Sequence, residues 1–116
     1  MGRVRNISRQ TLLATHVLQA RSLLARMKGL LGRESLAQGE GLWIEPCPSI
    51  HTFFMQFSID VIFVDRSWKV LHLIDSMAPQ RLSRYVSHAR GVLELPAGTI
   101  IASHTQVHDE LCFEDS

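Results

Sequence analysis

At 116 residues, 46% hydrophobic and 20% charged, the chain has an ordinary globular composition and enough length for one core without disulfide or metal staples. Its formal net charge of +1 hides a gradient. Residues 1–35 hold seven basic side chains against Glu34, and residues 105–116 hold four acids with no Lys or Arg. The gradient reads either as a basic arm for an acidic partner or as two chain ends that lie together and offset each other. The scatter of the basic residues and their lack of interleaved aromatics favour the second reading and speak against nucleic acid. No run approaches the ~18 apolar residues of a membrane span. Two cysteines 65 positions apart have neither zinc nor redox spacing. With no secretory apolar run near the start, reduced thiols and a cytoplasmic location are the expectation.

In chain order, residues 1–8 read as a loose polar lead-in to one domain spanning 1–116. Gln10 to Gln19 gives no clean parity, but Thr11, Thr15 and Val17 suit a strand. Residues 21–31 place Leu23, Leu24, Met27, Leu30 and Leu31 at helical spacing behind Ser22, which predicts a short helix. A short strand follows at 42–45, then Pro46 and Pro48 hold Cys47 in a constrained loop. From 51 to 64, His51, Phe53, Met55, Phe57, Ile59, Val61 and Phe63 alternate with Thr52, Gln56, Ser58 and Asp60. That alternation predicts one long strand, bent or bulged near Ser58, with the odd positions in the core. Asp65-Arg66-Ser67 turns into a strand over 68–75, and residues 79–91 suggest helical turns or a compact loop. VLELP, a short strand near TIIAS and a last strand over 106–113 complete the chain. The expected fold is α+β, mostly β: an antiparallel barrel-like or sandwich sheet with one or two short helices.

Three groups of residues carry potential chemistry. Cys47 and His51 could form a nucleophile and base, although ~13 Å separates them in a fully extended chain. Cys47, His51 and Met55 could ligate a soft metal, but parity puts Met55 in the core, so neither metal nor cofactor is expected. Asp60, between apolar neighbours, must be solvated, paired or hydrogen-bonded, and Arg26 is the partner expected. Thr52, Gln56 and Asp60 share parity and could line one groove. Glu94, between Leu93 and Leu95, poses the same question as Asp60. Phosphate-cradling glycine loops, nucleophile elbows and H-E-x-x-H are absent.

The blocks Arg26-Met27-Lys28-Gly29-Leu30-Leu31-Gly32-Arg33, Gly41-Leu42, His51-Thr52-Phe53-Phe54-Met55 with Ile59-Asp60-Val61-Ile62-Phe63, and Val92-Leu93-Glu94-Leu95-Pro96-Ala97-Gly98 occur in that order. In them the chain resembles a small prokaryotic family of domains of unknown function, family 192, over roughly residues 9–112. The family often has proline where this chain has Ser58 and tryptophan where it has Phe54. The resemblance implies a compact strand-rich domain with no established reaction. It also implies recurrent polar positions at Arg26, His51, Thr52, Asp60 and Glu94. The function expected is a binding or accessory module for a small polar ligand or an extended peptide, its groove formed by Arg26, Cys47, His51, Thr52, Gln56, Asp60 and Glu94. A Cys47/His51 hydrolase or transferase, and a pocketless protein- or nucleic-acid-interaction domain, are the alternatives. The sequence fixes no oligomeric state.

Overall fold

The computed structural model describes residues 2–20, 30 and 32–115. Strands β1 (Gly2–Asn6), β2 (Thr11–Ala20), β3 (Glu40–Ile44), β4 (Ile59–Val64), β5 (Val70–Met77), β6 (Gly91–Pro96) and β7 (Leu111–Asp115) form one sheet in the order β5-β4-β6-β3-β2-β1-β7. One short helix, α1 (Thr99–Ser103), interrupts them. β2 and β3 run parallel and the other neighbours antiparallel. The sheet curls into a half-barrel. Its two edge strands meet at one end, where the Val70 N–H donates to the Asp109 carbonyl at 2.8 Å and the Leu111 N–H to the Trp68 carbonyl at 2.8 Å. The mostly-β expectation holds, and the helix expected over 21–31 falls almost wholly on residues outside the described set.

The curl gives the sheet an inner and an outer core. Val4, Val17, Trp43, Ile62, Val64, Leu93 and Leu95 pack inside the half-barrel. Ile59, Val61, Phe63, Leu42, Ile44 and Val92 pack on the outer face with Cys47, Ile50, Met55 and Val86 from two irregular segments laid over it. β4 is therefore buried at every position, which explains why it is apolar everywhere but at Asp60.

The differences from expectation have physical causes. Residues 2–6 are not a loose lead-in: GRVRN alternates buried and exposed, and it lies between β2 and β7. The long strand expected over 51–64 begins only at Ile59, because residues 52–55 form a turn closed by the Met55 N–H on the Thr52 carbonyl at 3.2 Å. Phe53 consequently leaves the core and is exposed. The bulge expected near Ser58 is on the partner strand instead: between Ile59 and Val61 the register advances two residues on β4 and three on β5, where Ser76 has φ 53°. TIIAS forms α1 rather than a strand, since Gly98 turns the chain at φ 96° and Asp60 takes the Ile100 amide. The last strand starts at Leu111, after a loop that wraps Asp109. β2 shows no clean parity because its pairing with β1 is irregular, burying Leu13 and Ala14 in succession.

The charge gradient resolves as two ends brought together. β1 and β7 pair directly, and Arg5 meets Glu114 at 3.8 Å across them. Arg9 holds Asp109 at 3.0 Å. Asp109 also accepts from Asn6 Nδ2 and the Gln106 amide. Burial pushes the Asp109 carboxyl upward, but those hydrogen bonds and the Arg9 charge outweigh it and hold it below its usual value.

Candidate functional site

The outer layer is a two-stranded ribbon in which residues 48–52 run against 80–86. The Thr52 N–H donates to the Arg81 carbonyl at 2.8 Å, the Ser83 N–H to the Ile50 carbonyl at 2.9 Å and the Val86 N–H to the Pro48 carbonyl at 2.8 Å. Thr52 is the clasp: fully buried, its hydroxyl donates to the Ala78 carbonyl at 2.6 Å and accepts the Arg81 N–H at 3.0 Å. Ser83 Oγ accepts the Ile50 N–H at 2.9 Å. The inward side of the ribbon supplies Cys47, Ile50, Met55 and Val86 to the outer core.

Its outward side is apolar too. Phe54 is 80% exposed, Leu82 69%, Tyr85 68% and Phe53 40%. His51 bridges to Leu82 and stacks on Phe53 with ring centroids 5.2 Å apart. Phe54 sits at φ 65°, left-handed backbone that suits glycine or asparagine and is costly for an aromatic residue. It is held there by Gln80, itself at φ 64°, whose Oε1 accepts the Phe54 N–H at 2.6 Å. Segments 46–58 and 78–90 contain no Asp or Glu. Exposed Arg81 and Arg84 flank Leu82, and His72 has its pKa lowered by burial and then by the Arg84 charge.

The residues singled out in the sequence separate into three places. Cys47, His51, Thr52 and Gln56 belong to the ribbon and the turn after it. The Cys47 thiol is buried and donates to the Ser49 carbonyl at 3.0 Å, while His51 Nδ1 accepts the Phe53 N–H at 3.3 Å. Among the described residues no hydrogen bond joins Cys47 to His51. Gln56 is exposed.

Asp60 lies elsewhere, on the inner face of β4. Its Oδ1 accepts the Ser76 N–H at 2.8 Å and its Oδ2 the Ile100 N–H at 2.7 Å. It thereby ties the β5 bulge to α1, and does not share a groove with Thr52 and Gln56. Arg26, its expected partner, lies outside the described residues. Glu94 follows outer-facing Val92 by two positions on β6 and is in register with Leu42 and Val61. It is 4% exposed, has no hydrogen-bond partner among the described residues, and burial pushes its carboxyl up to about 7.

A separate cleft of about 510 Å³ opens between β2 and α1, lined by uncharged groups including Thr11, Thr15, Gln38, Thr99 and Ser103. None of the candidate site residues Cys47, His51, Thr52, Gln56, Asp60 and Glu94 lines it. Among the described residues no cluster of three or more His, Cys, Asp or Glu could hold a metal, and no helix is long and apolar enough to cross a membrane. Sequence reasoning missed Phe53, Phe54, Leu82 and Tyr85 as a surface, because parity placed Phe53 in the core and residues 79–91 read as helical turns or a compact loop. The signal that was present is a pair of adjacent segments rich in aromatics and arginine and free of acid.

Known proteins share the architecture without adding a reaction. A crystal structure of a protein of unknown function from Novosphingobium aromaticivorans superposes with a TM-score of 0.80 at 20% identity, covering 96% of this chain and 82% of that one. A crystal structure from Sinorhizobium meliloti, described as that of a putative transcription regulator, gives a TM-score of 0.77 at 21% identity, covering 97% of this chain and 91% of that one. At these identities the likeness establishes the fold. A UPF0127 protein of Thermococcus sibiricus is 39% identical over 66 residues, a stretch that is 57% of this chain and 42% of that protein. The family model of the uncharacterised DUF192 proteins matches residues 4–113. With nearly the whole chain matched, the chain belongs to the DUF192 family.

Proposed function

We propose that the protein is a binding module that docks an extended peptide segment of a partner on the outward side of the His51 ribbon. One observation carries the reading: Phe54, Leu82 and Tyr85, each more than two-thirds exposed, gather on one ribbon. Folding gains little from any of them, and Phe54 in left-handed backbone imposes a cost on it. Aromatic and arginine side chains of this kind form the energetic centre of protein interfaces, where lysine is depleted, and the two segments contain no lysine. Cys47, His51, Thr52 and Gln56 then serve the site as its frame, with Thr52 fixing the two segments and His51 supporting Phe53. A Cys47 nucleophile with a His51 base gains no support, since both polar groups are engaged locally.

A peptide-display selection against the native chain, counter-screened on a Phe54→Gly/Leu82→Ser variant, tests the reading. Peptides that bind the native chain and lose at least roughly tenfold affinity for the variant are expected, about 1.4 kcal/mol or more. Peptides that bind both equally, or a selection that yields none, would end the proposal.

A further inference from the structure

The electrostatics of the ribbon specify its occupant, an inference that rests on the docking reading above. Arg5, Arg9, Arg33 and Arg90 each pair with a carboxylate, at 3.8, 3.0, 3.2 and 3.0 Å. Arg3, Arg66, Arg81 and Arg84 are exposed and have no ion pair among the described residues, and of these four Arg81 and Arg84 lie on the ribbon. They stand on either side of Leu82 in one acid-free segment, 78–90, which pairs with a second acid-free segment, 46–58, that supplies His51 opposite Leu82. Such a surface, apolar at its centre and cationic at its rim, has the complement of a partner carrying the reverse charge at its rim. Of the chain's own carboxylates, Asp109 and Glu114 are held by Arg9 and Arg5. A polyanion is a poor candidate for that complement. Nucleic-acid binders neutralise many phosphates, and the ribbon itself offers two unpaired arginines.

We infer that the segment docking on the ribbon is an acidic peptide, its apolar side chains resting on Phe54, Leu82 and Tyr85 and its carboxylates on Arg81 and Arg84. The arginines supply orientation and encounter rate, and the aromatic centre supplies residence time. Guanidinium forks suit this role because they bind carboxylates bidentately while remaining weakly hydrated.

Two synthetic dodecapeptides test the inference by fluorescence anisotropy. Both carry the same Leu and Phe residues; one has Asp and Glu between them and the other Asn and Gln. The acidic peptide should bind about tenfold tighter in about 50 mM salt, and the advantage should collapse in about 500 mM salt, where the screening length is only a few ångströms. Arg81→Gln/Arg84→Gln should abolish the advantage of the acidic peptide over the neutral one and leave Tm unchanged, both residues being exposed. Equal binding of the two peptides at low salt, or an advantage that survives the double substitution, would overturn the acidic assignment and leave the docking reading standing. Failure of both peptides to bind would overturn the docking reading itself. Tighter binding of a thymidine oligonucleotide or of phosphatidylserine vesicles than of the acidic peptide would also overturn the assignment.

Discussion

The inner face around Asp60 and the outer ribbon around Phe54 treat polar and apolar groups in opposite ways. On the inner face and the adjoining closed end, every charged or polar side chain discussed is satisfied. Asp60 holds two backbone amides, Asp109 holds Arg9, Asn6 and an amide, and Asn6 in turn reaches Thr105 at 3.1 Å. On the ribbon, aromatic rings face solvent, arginines lack carboxylates, and one aromatic residue is locked in a backbone region it disfavours. Buried carboxylates of the first kind stabilise the fold. Exposed groups of the second kind contribute little to it and are available for binding. Chemically loaded residues in a sequence are thus as much a sign of architecture as of activity.

The comparison can be broken or sharpened by substitution. The largest effect belongs to Asp60. Asp60→Ala leaves two buried amides without acceptors and should cost roughly 3 kcal/mol or more in urea unfolding, with peptide binding by the folded fraction unchanged. A smaller loss, or a binding defect in folded protein, would move Asp60 from architecture to function.

Glu94 comes next and depends on pH. Its carboxyl is raised from 4.5 to about 7 in the folded chain, so the folded state holds the proton more tightly than the unfolded state. Stability is therefore greatest below about pH 4.5 as far as this group is concerned, and falls as pH rises toward 7. Glu94→Gln removes that dependence, and should stabilise the protein by roughly 3 kcal/mol at about pH 8 and far less at about pH 5. A flat difference between the two pH values would contradict the burial account.

Asp109→Ala strips Asn6 and Arg9 of an acceptor and should cost about 2 kcal/mol near neutrality. The native folded pKa being depressed, this contribution is present above the unfolded pKa and is lost as pH falls through the folded one, so the variant and the native chain should converge in strong acid. Phe54→Gly should change stability least, by within about 1 kcal/mol, because it relieves left-handed strain while giving up mostly exposed surface. It should nonetheless remove most peptide binding, and that pairing of a small stability change with a large binding change distinguishes the ribbon from the inner face.

Much of the architecture was legible in the chain. The turn at Asp65 and the VLELP strand read correctly because local pattern and tertiary burial agree there, whereas of the strand expected over 51–64 only 59–64 forms. β1 was missed although GRVRN alternates cleanly, since a five-residue strand rich in arginine has too little apolar signal without its partners β2 and β7. TIIAS looked like a strand because its β-branched residues favour one, and a carboxylate 40 positions away decided otherwise. At the site, Thr52 and Asp60 announced themselves as polar residues in apolar surroundings, but their shared parity ended at the turn at Phe54. Whether a phenylalanine faces core or solvent depends on the ribbon that residues 48–52 make with 80–86. That pairing is non-local and leaves no period in the sequence.

The docking claim is tested most directly by amide chemical-shift mapping of the ¹⁵N-labelled protein titrated with the acidic dodecapeptide. Shifts confined to residues 51–54 and 80–86, saturating with one equivalent, are the predicted result. Shifts centred on residues 11–15 and 97–103, where the uncharged cleft lies, or no shifts at all, would contradict it.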